Sequence, residues 1–97
     1  MGKYFKIDYD KKIIELFYDV EKFLFDLNEG DIGDFWHSFT TKDGVTKDIN
    51  FYQEDATIKP SMSIYDLDED GYINTTYEEV IDCTNIQGNP QNYFNLN

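Results

Sequence analysis

Residues 13–27 read "IIELFYDVEKFLFDL". Two periodicities run through this stretch, and they imply different folds. As a strand, Ile14, Leu16 and Tyr18 alternate against Ile13, Glu15 and Phe17. As one helix, Ile13, Leu16, Phe17, Val20, Phe23, Leu24 and Leu27 recur at i, i+3, i+4 and i+7. The reading adopted is a strand followed by a short helix near residues 20–28. Asp19 suits the N-cap, Val20, Phe23, Leu24 and Leu27 form one apolar stripe, and Gly30 ends it.

The flanking sequence favours strands. "YFKIDYD" at 3 residues in alternates Phe5, Ile7 and Tyr9 against Tyr4, Lys6 and Asp8, and "DKK" at 10–12 turns the chain back. Phe35 to Thr41 reads as a strand. Asp43-Gly44 is a hairpin signal, and Val45, Lys47, Ile49 and Phe51 return on one face. "SMSIYDL" and "YINTTYEEVI" pair around "DEDG" at 68–71. The expected fold is therefore α+β, an antiparallel sheet of about five to six strands built from hairpins, with one short helix. The chain, residues 1–97, reads as a single domain. Residues 83–97 read as a loosely held tail, with Tyr93 and Phe94 placed to dock back on the body.

Charge is the dominant compositional feature. Twenty acids face eight lysines and no arginine, a formal net charge of −12. Residues 1–59 hold thirteen acids and all eight lysines; residues 60–97 hold seven acids and no base. Such a surface repels nucleic acid and anionic membrane and attracts a cation or a basic protein. Cys83 is the sole cysteine, so no disulfide can form within the chain, and a buried, inert thiol is expected. The N-terminus lacks the apolar core of a signal peptide, and no apolar run approaches the length of a membrane span. A cytoplasmic protein is the expectation.

Residues 66–79, "DLDEDGYINTTYEE", resemble the start of a calcium loop of the EF-hand or dockerin kind. Asp66, Asp68, Asp70, Gly71 and Ile73 match its positions 1, 3, 5, 6 and 8. Position 12 is Tyr77, and the acids follow one place late at Glu78 and Glu79. No helix precedes the loop. A hairpin turned at Asp70-Gly71 explains the same letters without an ion. No metal and no cofactor are assigned.

Catalytic patterns are sparse. His37, the sole histidine, alternates with Phe35 and Phe39 and reads as a half-buried structural residue. No glycine-rich phosphate loop is present, and the chain is not read as an enzyme. What remains is a surface. Phe35 and Trp36 are strand neighbours and face opposite ways. Tyr65, Tyr72 and Tyr77 are interleaved with Asp66, Asp68, Glu69, Asp70, Glu78 and Glu79. Tyr and Trp anchor interfaces, and acids around them steer a cationic partner. These ten residues, with Trp36 among them, are the expected partner-binding set.

In size, charge and aromatic content the chain resembles the small acidic immunity proteins that bacteria pair with nuclease toxins. It also resembles phage-encoded nucleic-acid mimics that block restriction or CRISPR nucleases. The likeness is one of type, with no shared motif, so it assigns no residue a role. It implies an inhibitor that covers the cationic face of a basic partner protein, a nuclease or toxin. Lysine mixed into the first 59 residues favours the immunity type over a mimic acidic throughout. A calcium-responsive or structural module using residues 66–79 is the alternative from a different class. A monomer or a weak homodimer paired through hairpin edges is expected.

Overall fold

The structure is a computed structural model that describes residues 2–94. Seven strands are present: β1 (Lys3–Asp8), β2 (Ile13–Tyr18), β3 (Glu21–Asp26), β4 (Asp34–Thr40), β5 (Thr46–Tyr52), β6 (Ser61–Leu67) and β7 (Ile73–Gln87). A single helical turn, α1 (Gln91–Phe94), follows. The strands form one sheet in the order β3-β2-β1-β7-β6-β5-β4. Every neighbouring pair is antiparallel except β1 and β7, which run parallel.

The helix expected near residues 20–28 is a strand, and the molecule is mostly β. β2 and β3 form a tight hairpin in which Tyr18 pairs with Glu21, leaving Asp19 and Val20 as the turn. Asp19 takes a left-handed conformation, φ 56°. Asp is among the few non-glycine residues that visit it readily, so the letter read as an N-cap serves a turn instead. Beyond it Phe23, Phe25 and Leu27 alternate inward. Val20 and Leu24, two members of the expected helical stripe, are 78% and 56% exposed, while Phe25 is 7% exposed. Aromatic residues favour the pleated, half-buried setting, and the adjacent β2 edge satisfies the backbone. Adding β3 brings the count to seven strands rather than five to six.

β7 is the strand that joins the two halves. Its first part, through Ile81, pairs with β6, and its second, from Asp82, pairs with β1. The sheet therefore bends along β7 and curls until its two edges approach. β3 and β4 share no ladder, and the open seam is filled by side chains. The Phe23 and Phe39 rings stand 4.7 Å apart, and Phe25 lies 5.5 Å from the His37 ring. The result is nearly a barrel. Phe5, Ile14, Leu16, Ile49, Phe51, Met62 and Ile64 fill it, all but wholly buried. His37 lies inside the curl with Phe35 and Phe39, half-buried, its Nε2 3.1 Å from Glu29.

Residues 83–87, expected in a loose tail, continue β7 alongside β1. The chain after Gly88 returns to the body. Asn92 donates to the Asp10 carboxylate, and Tyr93 is buried with its hydroxyl accepting from Gly33 N–H at 2.7 Å. Residues 95–97 of that expected tail lie outside the described residues. Among the described residues no helix is long and apolar enough to cross a membrane.

One end of the core is polar. Tyr9 is fully buried and donates to Gln53 Oε1 at 2.7 Å. Burial pushes the Tyr9 phenol up to about 12, and the hydrogen bond to Gln53 only partly offsets it. Burial also raises Cys83 and Tyr93. A phenol whose folded pKa exceeds its unfolded value stabilises fully below the unfolded pKa, near 10. That stability is lost as pH rises from there through the folded value. Alkaline urea titrations should thus show stability falling between about pH 9, where the thiol begins, and pH 12, with Tyr9 supplying on the order of 2–3 kcal/mol. Tyr9→Phe should flatten the fall above pH 10. An equally steep fall in that variant would place the titrating group elsewhere.

Candidate functional site

Strand alternation divides the residues of β4–β7 between the core and an outward face. The inward row carries Phe35, Ile49, Met62 and Ile81. The outward positions are Asp34, Trp36, Ser38 and Thr40 on β4, and Thr46, Asp48, Asn50 and Tyr52 on β5. On β6 they are Ser61, Ser63, Tyr65 and Leu67, and on β7 Glu78 and Val80. None of them is a lysine. The outer face of β1–β3 differs, with Lys6 and Lys22 among its outward side chains and Lys11 and Lys12 in the adjoining turn. Lys42 and Lys59 sit in connections beyond the ends of the strands. The acidity of the sequence is thus resolved into one face without base and one with it.

Trp36 stands 49% exposed on the edge strand of the lysine-free face, while its neighbour Phe35 is 2% exposed, as alternation requires. Trp36 pairs with Asn50, and Tyr65 pairs with Asp48. The two rings reach across β5 towards each other, with centroids 5.2 Å apart. The small Ser38 and Ser63 beside them leave room for this. Glu78 is the β7 partner of Tyr65. Burial and then the Glu78 carboxylate raise the Tyr65 hydroxyl. Burial also raises Asp48, whose carboxylate has no cationic partner among the described residues.

Of the expected binding set, Trp36, Tyr65 and Glu78 come together on this face. Asp68, Glu69, Asp70 and Tyr72 form the exposed hairpin tip adjoining it. Asp68 builds that tip. Its Oδ1 accepts from the Asp70 and Tyr72 N–H groups, each at 2.9 Å, and its own N–H donates to Tyr72 O at 2.7 Å. Residues 66–79 are a hairpin, then, as the Asp70-Gly71 reading has it.

Three residues of the set face the other way. Asp66 turns inward and is held by Lys47. Glu79 also turns inward, with Lys3 Nζ 3.1 Å from Oε1 and 2.9 Å from Oε2. Both lysines lie over the Tyr18 ring. Burial is the largest single influence and works against the Lys47 charge, but Asp66 and Tyr18 together outweigh it and the pKa rises. The Lys3 pKa rises chiefly through its hydrogen bond to Glu79. These carboxylates are neutralised within the molecule and leave the binding set. Tyr77 follows Glu79's side of the strand, its hydroxyl 3.4 Å from Glu79 Oε1, and stands apart from the Trp36–Tyr65 pair.

Asp48, Asn50, Tyr52 and Val80 were not in the expected set. Alternation against Ile49, Phe51 and Ile81 carries the signal for all four. No protein-family model, no curated protein and no solved structure matches the chain.

Proposed function

We propose that this protein is a small acidic inhibitor that binds a basic partner protein through the lysine-free face of β4–β7 and the adjoining hairpin tip. The observation that carries the reading is the separation of charge. An aromatic pair, exposed Trp36 and half-buried Tyr65, sits on a face with carboxylates and no lysine. Acids around such a pair steer a cationic surface into place, and the aromatics then slow its release. The partner class is a cationic protein, a nuclease-type toxin above all, neutralised in the cytoplasm in the manner of an immunity protein.

The second reading, a phage-encoded mimic of nucleic acid that blocks a CRISPR or restriction nuclease, shares the same acidic face. Lys6 and Lys22 on the opposite face favour the first, since only one side is specialised for a cation. The calcium-responsive alternative is weakened by Asp66 being spent on Lys47 and Asp68 on the turn's own N–H groups.

Affinity capture tests the proposal. The immobilised protein, exposed to lysate of its source cell at low salt, should retain one stoichiometric basic protein that elutes as salt rises. Glu69→Lys with Asp70→Lys should slow association with that protein by about tenfold at low ionic strength and much less at high. This pair is preferred because Asp68 holds the turn together. A heterogeneous, substoichiometric mixture of cationic proteins, or an unchanged association rate at low salt, would reject the inhibitor reading.

A further inference from the structure

We infer that the Trp36–Tyr65 ridge, with Asp48 on the intervening β5 and Glu78 on β7 beyond Tyr65, is a seat for an arginine side chain of the partner. The inference rests on the reading of this face as the binding surface and names the group that it recognises. Its basis is charge complementarity with geometry. Trp36 and Tyr65 meet above β5 with ring centroids 5.2 Å apart and planes tilted by 42°. Asp48 pairs with Tyr65 from one neighbouring strand and Glu78 from the other. One carboxylate therefore lies on each side of Tyr65, Asp48 on the β5 strand that the ridge crosses and Glu78 on β7 beyond it, at a lateral spacing of about 5 Å per strand.

A guanidinium suits this arrangement better than an ammonium. It is planar and weakly hydrated, stacks on an aromatic ring, and still presents N–H groups in its own plane to a carboxylate. Those in-plane donors would meet Asp48 or Glu78, and charge-assisted bonds of this kind are the stronger class. Asp48 also makes no ion pair among the described residues. It is partly withdrawn from water by its surroundings, its pKa is raised by burial, and no lysine on the face compensates it. Asn50, the other β5 residue near the ridge, is already engaged, donating to Asp34 Oδ1 at 2.9 Å.

Trp36 is the only tryptophan, so its emission reports on this face alone. The test titrates the full chain at low salt with a ten-residue arginine peptide and a ten-residue lysine peptide. The arginine peptide should change Trp36 emission saturably and bind at least about fivefold tighter than the lysine peptide. Asp48→Asn with Glu78→Gln should weaken the arginine peptide by about tenfold and bring the two peptides close to parity. Asp48→Asn removes a partly buried charge and should leave the fold intact, which circular dichroism checks. Glu69→Lys with Asp70→Lys should weaken both peptides alike and keep the arginine preference.

Equal affinity for the two peptides, or an arginine preference that survives loss of Asp48 and Glu78, would overturn the seat. Binding that leaves Trp36 emission unchanged and vanishes with the hairpin-tip reversal would overturn it too, while leaving the basic-partner reading standing. Conversely, a seat that behaves as expected while capture yields no stoichiometric protein would uphold the seat and reject the inhibitor.

Discussion

Phe25→Ala should cost about 3–5 kcal/mol of folding stability, while Leu24→Lys, one residue away, should change it by less than about 0.5 kcal/mol. The contrast comes from strand alternation in β3. Phe25 faces inward at 7% exposure, against Phe39 at 6.3 Å and His37 at 5.5 Å. It is part of the side-chain filling that stands in for a hydrogen-bonded ladder between β3 and β4. Truncating it opens a cavity at the one place where the curled sheet has no backbone bonds to hold it closed. Leu24 points outward from β3 at 56% exposure, where a lysine can reach water. Urea unfolding of the two variants, compared at equal m-values, measures both effects. A helix over 20–28 demands another outcome, since Leu24 would then belong to the buried stripe. A loss of several kcal/mol for Leu24→Lys would restore the helix.

Gly33→Ala should destabilise by about 2–5 kcal/mol, from backbone strain and a steric conflict acting together. Gly33 has φ +80°, and a Cβ there would lie 2.4 Å from the Gln53 carbonyl oxygen. That oxygen is backbone and cannot swing aside. The surrounding contacts tie it further, with Gln53 N–H donating to Gly33 O at 2.7 Å and Gly33 N–H donating to Tyr93 Oη at 2.7 Å. The glycine thus joins the approach to β4, the end of β5 and the C-terminal turn. Gly44→Ala separates the two causes. Gly44 also has a positive φ, 87°, but a Cβ there meets open space. It should cost only the backbone term, about 1–2 kcal/mol. Thermal unfolding showing equal losses at the two glycines would mean that the contact with Gln53 contributes nothing.

Most of the sheet was legible because alternation is a local signal. Phe5, Ile7 and Tyr9, Ile14 and Leu16, Ile49 and Phe51, and Met62 and Ile64 all point inward as their spacing demands. The Asp43-Gly44 and Asp70-Gly71 turns were legible for the same reason, since each needs only its own backbone conformation. Residues 20–28 carry no decisive local signal because the segment is short. Phe23 and Leu27 lie four apart, which satisfies helix and strand alike, and Val20 and Leu24 add helical spacing although both are exposed. Only the β2 edge, offering paired backbone groups, decides between them.

The candidate site divides along the same line. That Trp36 and Phe35 face opposite ways follows from adjacency in a strand, and the surplus of acid follows from composition. Which acids remain available does not. Asp66 and Glu79 were indistinguishable from Glu78 as letters, yet they meet Lys47 and Lys3 inside the curl. Lys3 and Glu79 are 76 residues apart in the chain. By itself, then, the sequence determined the strand faces, the turns and the sign of the surface, because each depends on neighbours within a few residues. The bend along β7, the side-chain seam between β3 and β4, and the sorting of lysines away from one face were decided by tertiary structure. Those features arise from long-range strand order and burial, which no local window contains.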